Sequence, residues 1–367
     1  MSKSHESNTS RVFGAPLRYI QGPGVLDQVG DVVSLAGKHA LLVADQFVLD
    51  LVGDPLRASC RESGVNLQTV LFNGEITPPE IERLCSQVSA STVDVVIAAG
   101  GGKGIDAGKA VSAHLGVEVI TLPTIASNDA PTSKIFVVYR EDHRLLGVQH
   151  MKANPLAVVV DTSLIARAPR KLLLAGIGDA VSKKFEVAQC VKVGAKTMYG
   201  APGTLAATAL AELCYSTLLQ HSTGALAAVE RQQPNSSLEA LVEATVLLSG
   251  LCFENGGLSI SHAMTRGLTA IPETAHALHG LQVDYGLLIQ LELENRPDGF
   301  KDEIRKFYAQ TGLPLSLRDI GLAQPASTEQ INTIATQTLT APYVVNFERE
   351  LSPSDFVVAL EAVESRV

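Results

Sequence analysis

Short apolar segments alternate with amphipathic segments along the first 165 residues of the chain. In the apolar segments Val, Ile and Leu stand at consecutive positions, which is typical of strands that are buried on both faces of a sheet. The segments predict strands at residues 39–45, 67–72, 93–100, 117–124 and 157–161, and the patterns between them predict helices at 51–63, 79–89 and 106–115. This alternation predicts an α/β fold with a mostly parallel, doubly wound, Rossmann-like sheet.

The second half of the chain has a different pattern. Residues 134–140 and 144–149, separated by turn residues 141–143, predict a β-hairpin appended to the sheet. After about Ala168 the chain is rich in Ala and Leu at helical spacing. Helices are predicted up to Glu186 and at 205–221, 238–251, 287–294, 301–310, 328–337 and 353–365. We therefore expect a disordered polar tail at 1–10, an α/β domain at 11–165 and an all-α domain at 166–367.

Composition narrows the class of protein. The 367 residues are 46% apolar and 18% charged, a globular balance for about two domains. The net charge of −9 is opposite in sign to the basic field of a nucleic-acid-binding protein. No stretch approaches the roughly 20 apolar residues of a membrane span, and the N-terminus lacks the apolar core of a signal peptide, so a cytoplasmic location is expected. The five widely spaced cysteines are expected to be buried and reduced.

A glycine-rich junction between a strand and a helix, AAGGGKGID at residues 98–106, is the strongest local motif. Glycines allow a tight turn and close approach of a ligand to the backbone, and a helix N-terminus offers free N–H groups. The motif matches only the looser G-x-G-x-x-A form, from Gly102, so a simple tight turn is an open alternative to a pyrophosphate site.

Two polar features follow neighbouring strands. Asp45 ends the first predicted strand, where a carboxylate can accept hydrogen bonds from the ribose of NAD and would repel the 2′-phosphate of NADP. A helix cap is the alternative interpretation of Asp45. The segment LPTIASNDAPTS, residues 122–133, places several polar side chains after a strand, where doubly wound sheets bind ligands; an ordinary polar loop is the alternative.

Asp179, His262 and His279 lie in separate predicted helices of the second half. One carboxylate and two imidazoles would form a catalytic type of metal site with room for a substrate oxygen. Each residue also has a structural alternative: Asp179 as a helix cap, His262 as a core histidine, and His279 as the partner of His276 on a helix face. Spacing across helices does not decide between these alternatives.

Taken together, five motifs resemble the bacterial glycerol dehydrogenases of the iron-type (group III) alcohol dehydrogenase superfamily. They are GGGKGIDAGKA, LPTIASNDAPTS, LLLAGIGDAVSKKFE, FENGGLSISHA and HGLQVDYG, in this order over nearly the whole chain. The resemblance implies the dehydroquinate-synthase-like architecture, with NAD bound by the α/β domain and a zinc ion held by the helical domain, facing each other across a cleft. Ferrous iron or another divalent metal is the alternative to zinc. A homo-oligomer, an octamer in that family, is also implied.

The resemblance implies roles for individual residues. Asp179, His262 and His279 correspond to the three zinc ligands, and Asp129 corresponds to an aspartate near the bound polyol; these four form the predicted catalytic set. The residues implied to bind NAD are Asp45, Gly100, Gly101, Gly102, Lys103, Asp106, Thr124, Ser133, Ile135, Val137 and Tyr139.

The chain departs from the family pattern beside these ligands. Thr265 and Arg266 stand where a His-Asn pair is usual, and Leu281 and Gln282 replace a Glu-Lys pair. A cationic Arg266 near the site could favour a carboxylate-bearing substrate.

The resemblance implies NAD-dependent oxidation of a vicinal diol, glycerol to dihydroxyacetone, with the metal polarising the substrate hydroxyl. The alternatives are a dehydrogenase or reductase of a related small substrate such as a 2-hydroxy acid, a dehydroquinate-synthase-like lyase, and a binding protein without activity. The lyase would need several cations to hold its substrate, and few stand near the proposed ligands in the sequence.

Overall fold

The computed structural model describes residues 10–89, 92–141 and 144–366. Six strands form one sheet in the spatial order β1, β8, β5, β4, β2, β3, and every neighbouring pair is parallel. Their bounds are β1 Arg18–Gly22, β2 His39–Ala44, β3 Asn66–Leu71, β4 Val95–Gly100, β5 Glu118–Pro123 and β8 Ala157–Asp161. The predicted parallel sheet is confirmed, and β1 is an additional edge strand that pairs with β8.

The sheet winds in both directions from its middle. The chain passes from β2 outward to β3, and then returns to β4 on the other side of β2 before continuing to β5. The winding therefore reverses between β2 and β4, and the carboxyl ends of these two strands are where such sheets bind ligands.

Helices account for the layers around the sheet and for most of the second half. The first five are α1 Val29–Val33, α2 Gln46–Glu62, α3 Pro78–Ser86, α4 Gly102–Leu115 and α5 Thr162–Arg167. The others are α6 Arg170–Val181, α7 Lys183–Val193, α8 Leu205–Glu230, α9 Ser236–Val242, α10 Ser249–Gly256, α11 Ile260–Leu268, α12 Pro272–Ala275, α13 His279–Leu293, α14 Asp298–Thr311, α15 Thr328–Thr338 and α16 Pro353–Glu364.

The predicted hairpin forms but does not extend the main sheet. Strands β6 (Ile135–Tyr139) and β7 (Leu145–His150) pair antiparallel as a separate two-stranded sheet. Phe136 and Val138 are buried in the core cluster that also contains Ile105 of α4, so β6 packs on that helix instead of a sheet edge. Turn residues 142 and 143 lie outside the described residues.

The chain divides into two compact units that differ from the expected consecutive domains. One unit is Ala15–Gly176 with His221–Gly250, and the other comprises the described residues of Met1–Gly14, Ile177–Gln220 and Leu251–Val367. Residues 221–250 belong with the sheet because Glu239 accepts hydrogen bonds from Gln21 and Thr162. Residues 1–9 of the expected tail lie outside the described residues.

One helical segment contradicts the expectation that no stretch could span a membrane. Ser236–Gly256 is 21 residues long and apolar enough to do so, but 67% of its apolar window is buried within the protein. It consists of α9, a π-helical segment at Glu243–Leu248, and α10. Burial on this scale is typical of a core helix, which is apolar on all sides. All five cysteines are buried, and no disulfide bond joins them within the described part of the chain.

Candidate active site

The glycine-rich segment turns the chain from β4 directly into α4. Gly100 has φ +137°, a conformation that residues with a Cβ rarely adopt. A Cβ on Gly102 would lie 2.6 Å from Nδ2 of Asn128, so only glycine fits without displacing that side chain. Gly101 is the N-cap and forms no side-chain cap hydrogen bond. The first turn of a 14-residue helix thus presents backbone N–H groups at the carboxyl end of β4, four residues before the predicted helix start.

Asp45 lies at the carboxyl end of the neighbouring strand β2. Its Oδ1 accepts a hydrogen bond from the Val48 backbone N–H at 2.8 Å, so Asp45 is the N-cap of α2. The helix-cap interpretation is therefore observed. A helix cap uses one carboxylate oxygen, so the other oxygen of Asp45 can still accept a hydrogen bond from a ribose.

Two side chains one turn apart on α4 attach it to the following loop and to β6. Asp106 is buried, and its Oδ2 accepts a hydrogen bond from the Val137 N–H at 2.9 Å. Lys109, which the sequence interpretation missed, is fully buried and donates to the Ile135 carbonyl at 2.9 Å and to the carbonyl of Ala130. Asp106 and Lys109 are three residues apart in GGGKGIDAGKA, and this spacing, which makes side chains neighbours on a helix, could have indicated the pair.

The other proposed NAD-binding residues surround the same end of the sheet. The Thr124 N–H donates to the Gly100 carbonyl at 3.0 Å. Ile135, Val137 and Tyr139 alternate with buried Phe136 and Val138, so the three predicted residues share one face of β6. Ser133 is buried, and its hydroxyl lies 3.2 Å from Lys109 Nζ.

Lys103 differs from the rest of this group because its charge is already paired. Its Nζ lies 2.8 Å from Oε2 of Glu75 and 5.4 Å from the centre of the Tyr139 ring. Half of the side chain is exposed, so this ion pair is weak and can rearrange around a ligand.

Asp129, which is predicted to lie near the bound polyol, accepts a hydrogen bond from a serine hydroxyl that the sequence did not indicate. Ser249 Oγ donates to Asp129 Oδ2 at 3.0 Å. Ser249 directly follows the π-helical segment, and a Cβ on the next residue, Gly250, would lie 1.7 Å from Thr132 Oγ1. The wider π turn and the missing Cβ bring this helix against the loop that carries Asp129; π-helical turns often occur at functional sites.

Asp179, His262 and His279 come together in three dimensions. Asp179 is on α6, His262 is on α11, and His279 is the first residue of α13. One potential ligand atom from each lies within 4.8 Å of the other two. Asp179 is buried, and its Oδ2 has no hydrogen-bond partner among the described residues. An unsatisfied buried carboxylate oxygen beside two imidazoles fits a divalent cation.

Glu186 on α7 orients His262. Its Oε2 lies 2.7 Å from His262 Nδ1, and its Oε1 accepts the backbone N–H groups of His262 and Ser259. We assign the proton to Nδ1, since the Glu186 carboxylate can only accept, and this directs the Nε2 lone pair toward Asp179. A carboxylate behind a histidine in this way is typical of metal sites.

Lys183 on α7 is a second residue that sequence reasoning missed. It is fully buried, with Nζ 2.6 Å from Asp179 Oδ1 and 3.2 Å from His262 Nε2. Asp179, Lys183 and Glu186 are spaced i, i+4, i+7 in GIGDAVSKKFE, which is the one-face pattern of a helix and could have indicated them.

Charge dominates the acid–base properties of this cluster. Burial alone would raise the pKa of Asp179, but the Lys183 ammonium and His262 hold it well below its usual range. Burial would likewise raise the pKa of Glu186, and His262 lowers it instead. For His262, burial opposes protonation most strongly, but the Glu186 and Asp179 carboxylates together outweigh it and the pKa is raised. Both carboxylates are therefore ionised at neutral pH, so Asp179 can bind a cation and Glu186 can accept the hydrogen bond from His262 Nδ1.

The residues that depart from the family pattern have local partners. Arg266 is exposed and donates to the Thr340 carbonyl at 3.0 Å. Thr265 Oγ1 donates to the His262 carbonyl at 2.7 Å, and buried Gln282 donates to the Thr274 carbonyl. The alternative pairing of His276 with His279 on one helix does not form, because His276 is the C-cap residue after α12 and His279 is the first residue of α13.

Comparison with known proteins agrees with this geometry. The iron-containing alcohol dehydrogenase family model matches residues 16–162. A glycolaldehyde reductase from Halobacterium salinarum is 41% identical over 86% of both chains, and a glycerol dehydrogenase from Pseudomonas putida is 39% identical over 87% of both. The crystal structure of glycerol dehydrogenase from Schizosaccharomyces pombe superposes with a TM-score of 0.93, at 31% identity, covering 99% of this chain and 92% of that one. The architecture implied by the resemblance is confirmed, and the chain belongs to the iron-containing alcohol dehydrogenase family, with glycerol dehydrogenases among its relatives.

Proposed function

We propose that this protein is an NAD-dependent polyol dehydrogenase that oxidises glycerol to dihydroxyacetone. The observation that carries the proposal is the cluster of Asp179, His262 and His279, in which the buried Oδ2 of Asp179 has no hydrogen-bond partner among the described residues. The relatives named glycerol dehydrogenase, at 36–39% identity over 85% or more of the chain, support the substrate class.

Asp179, His262 and His279 would hold the ion, and Glu186 would keep His262 in the tautomer whose Nε2 can bind it. One carboxylate oxygen and two imidazole nitrogens suit Zn²⁺ with three protein ligands, and the same donors also suit Fe²⁺. A bound divalent metal would supply Lewis-acid polarisation of the substrate hydroxyl, and NAD⁺ would supply the hydride acceptor for the carbon that bears this hydroxyl.

The residues of the sheet unit would bind the cofactor and orient the polyol. The backbone N–H groups at Gly101 and Gly102 suit the pyrophosphate, and Asp45 suits the adenosine ribose. Asp129, oriented by Ser249, would accept a hydrogen bond from a substrate hydroxyl. Fixing the hydroxyl in this way favours reaction by reducing the orientations that the substrate can adopt.

A second candidate activity is the reduction of a small hydroxyaldehyde by NADH. It is supported by the similarity to the Halobacterium protein, which is named glycolaldehyde reductase. The same metal would polarise a carbonyl oxygen in place of an alcohol oxygen. We further propose that the enzyme is a cytoplasmic homo-oligomer. Its molecular mass in solution would be measured by light scattering.

The test is an absorbance assay at the NADH band with metal-loaded protein. The panel contains glycerol, 1,2-propanediol, 2-hydroxy acids and simple alcohols with NAD⁺, and glycolaldehyde with NADH. We expect the highest kcat/KM with glycerol, loss of turnover with a chelator, and recovery when Zn²⁺ is returned. His262→Ala should lose both the metal and the activity.

Three outcomes would contradict the proposal. Undiminished turnover after complete metal removal would exclude the metal site. A higher kcat/KM for glycolaldehyde or for a 2-hydroxy acid would favour those substrates. Consumption of a substrate without net formation of NADH would favour lyase chemistry.

A further inference from the structure

A lysine ammonium lies against two of the three side chains that would hold the metal. Lys183 Nζ is 2.6 Å from Asp179 Oδ1 and 3.2 Å from His262 Nε2, and the Lys183 side chain is fully buried. An ammonium only donates hydrogen bonds, so it uses lone pairs of Asp179 and His262. A divalent ion requires lone pairs of the same two side chains.

We propose that Lys183 is an internal counter-cation that competes with the metal for Asp179 and His262 and thereby sets the affinity of the site. This inference rests on the metal site of the proposed function. Lys183 stabilises the buried Asp179 carboxylate while no ion is bound. When the ion enters, the ammonium has to give up its contact with His262 Nε2, because the proton on Nδ1 leaves Nε2 as the only nitrogen of that ring able to bind a metal.

The buried charges explain why such a counter-cation is needed. Asp179 and Glu186 are both buried, and an uncompensated carboxylate in the interior is costly. Oδ1 of Asp179 and Nε2 of His262 are only 3.3 Å apart, so one ammonium reaches both. His279 completes the group but is exposed.

The same arrangement opposes binding of the ion. A metal bound to Asp179 and His262 would lie within a few ångströms of the Lys183 charge, where like charges repel strongly in a poorly solvated interior. Removing this positive charge should therefore have two opposite effects. It should weaken the metal-free fold, because Asp179 loses its counter-ion, and it should tighten metal binding, because the competitor is gone.

Lys183→Met tests the inference, because methionine is unbranched and apolar and fits a buried site. Lys184→Met is the matched control: it removes the same charge one residue away, where the ammonium pairs with Glu212 and lies 4.4 Å from the centre of the Tyr215 ring. Zn²⁺ affinity is measured on metal-stripped protein by competition with a chromophoric chelator. Thermal unfolding is measured on the same samples with and without Zn²⁺.

For Lys183→Met we expect a Kd for Zn²⁺ that is at least about tenfold lower, together with a lower Tm without metal. Lys184→Met should keep the wild-type Kd. If Lys183→Met fails to fold without metal, Lys183→Gln keeps a hydrogen-bond donor without the charge and should show the same tightening.

An unchanged or higher Kd in both Lys183 variants would overturn the inference while leaving the proposed function intact. A wild-type protein that binds no Zn²⁺, or binds it equally well after Asp179→Ala, would overturn both. The two failures are therefore distinguishable.

Discussion

The carboxyl group of Asp106 is buried beside the glycine-rich turn, and its two oxygens differ in their hydrogen bonding. Oδ2 accepts the Val137 N–H, and Oδ1 has no hydrogen-bond partner among the described residues. Burial raises the pKa of Asp106 to about 6, although Lys109 partly offsets it. The neutral form is therefore favoured in the folded protein relative to the unfolded chain, where the carboxyl ionises near pH 4.

Asp106→Asn should flatten the pH dependence of stability between pH 4 and 7. In the wild type, the raised pKa of Asp106 adds up to roughly 3 kcal/mol to the free energy of unfolding. This contribution is fully present below about pH 4 and is lost as the pH rises to about 6. The measurement is Tm against pH without NAD. Asp54→Asn, a change at an exposed surface carboxyl, should follow the wild type. Parallel curves for wild type and Asp106→Asn would contradict this assignment.

Asp45→Ser separates the two roles of Asp45. Serine is as good an N-cap as aspartate, so the variant should keep the Tm of the wild-type protein. The negative charge that repels a 2′-phosphate is lost, and we expect weaker NAD binding and a lower ratio of kcat/KM for NAD over NADP. Asp45→Ala, which also removes the cap, should lose about 1 kcal/mol of stability in addition. An unchanged cofactor ratio in Asp45→Ser would mean that Asp45 is a cap alone.

Replacing glycine by alanine should have opposite effects on stability in two helices, because α4 packs closely on β4 and α14 leaves open space at its glycine. A Cβ on Gly108 would lie 2.2 Å from the Cβ of Ala98 on the strand beneath, whereas a Cβ on Gly299 of α14 would meet nothing within 4 Å. Gly108→Ala should therefore lower the free energy of unfolding by about 1–3 kcal/mol through overpacking. Gly299→Ala should raise it by up to about 1 kcal/mol, the ordinary helix preference. Chemical denaturation of both variants checks this pair; stabilisation by Gly108→Ala would show that α4 can move away from the sheet.

Elements with a strong local pattern could be predicted from sequence, and those fixed by distant partners could not. Strand β4 is a continuous buried run, and its predicted end at Gly100 is observed. Strand β1, RYIQG, has little apolar character and forms because β8 offers a parallel edge. Asp179, His262 and His279 were proposed from their residue types as one possible metal set, and the resemblance implied that role for all three. Lys183 and Glu186 were missed, because their roles depend on His262, which lies 79 and 76 residues further along the chain.

The proposed metal-binding and cofactor-binding residues belong to different compact units. Asp179, His262 and His279 all fall in the unit formed by Ile177–Gln220 and Leu251–Val367 with the N-terminal segment, whereas Gly102 and Asp129 fall in the sheet unit. No local pattern indicated that residues 221–250 return to the sheet unit, because helical periodicity does not say which neighbour a helix packs against. Yet this return is what brings Ser249 to Asp129.

This division predicts that the two ligands can be lost separately. A ligand that binds only the folded protein raises Tm according to its concentration relative to Kd. His262→Ala should therefore lose the Tm increase caused by Zn²⁺ and keep the increase caused by NAD. Gly102→Leu, whose side chain would displace Asn128, should lose the NAD effect and keep the Zn²⁺ effect. Loss of both effects in either variant, with its ligand-free Tm unchanged, would show that the two sites form as one cooperative structure, because each would then require the other to bind its ligand.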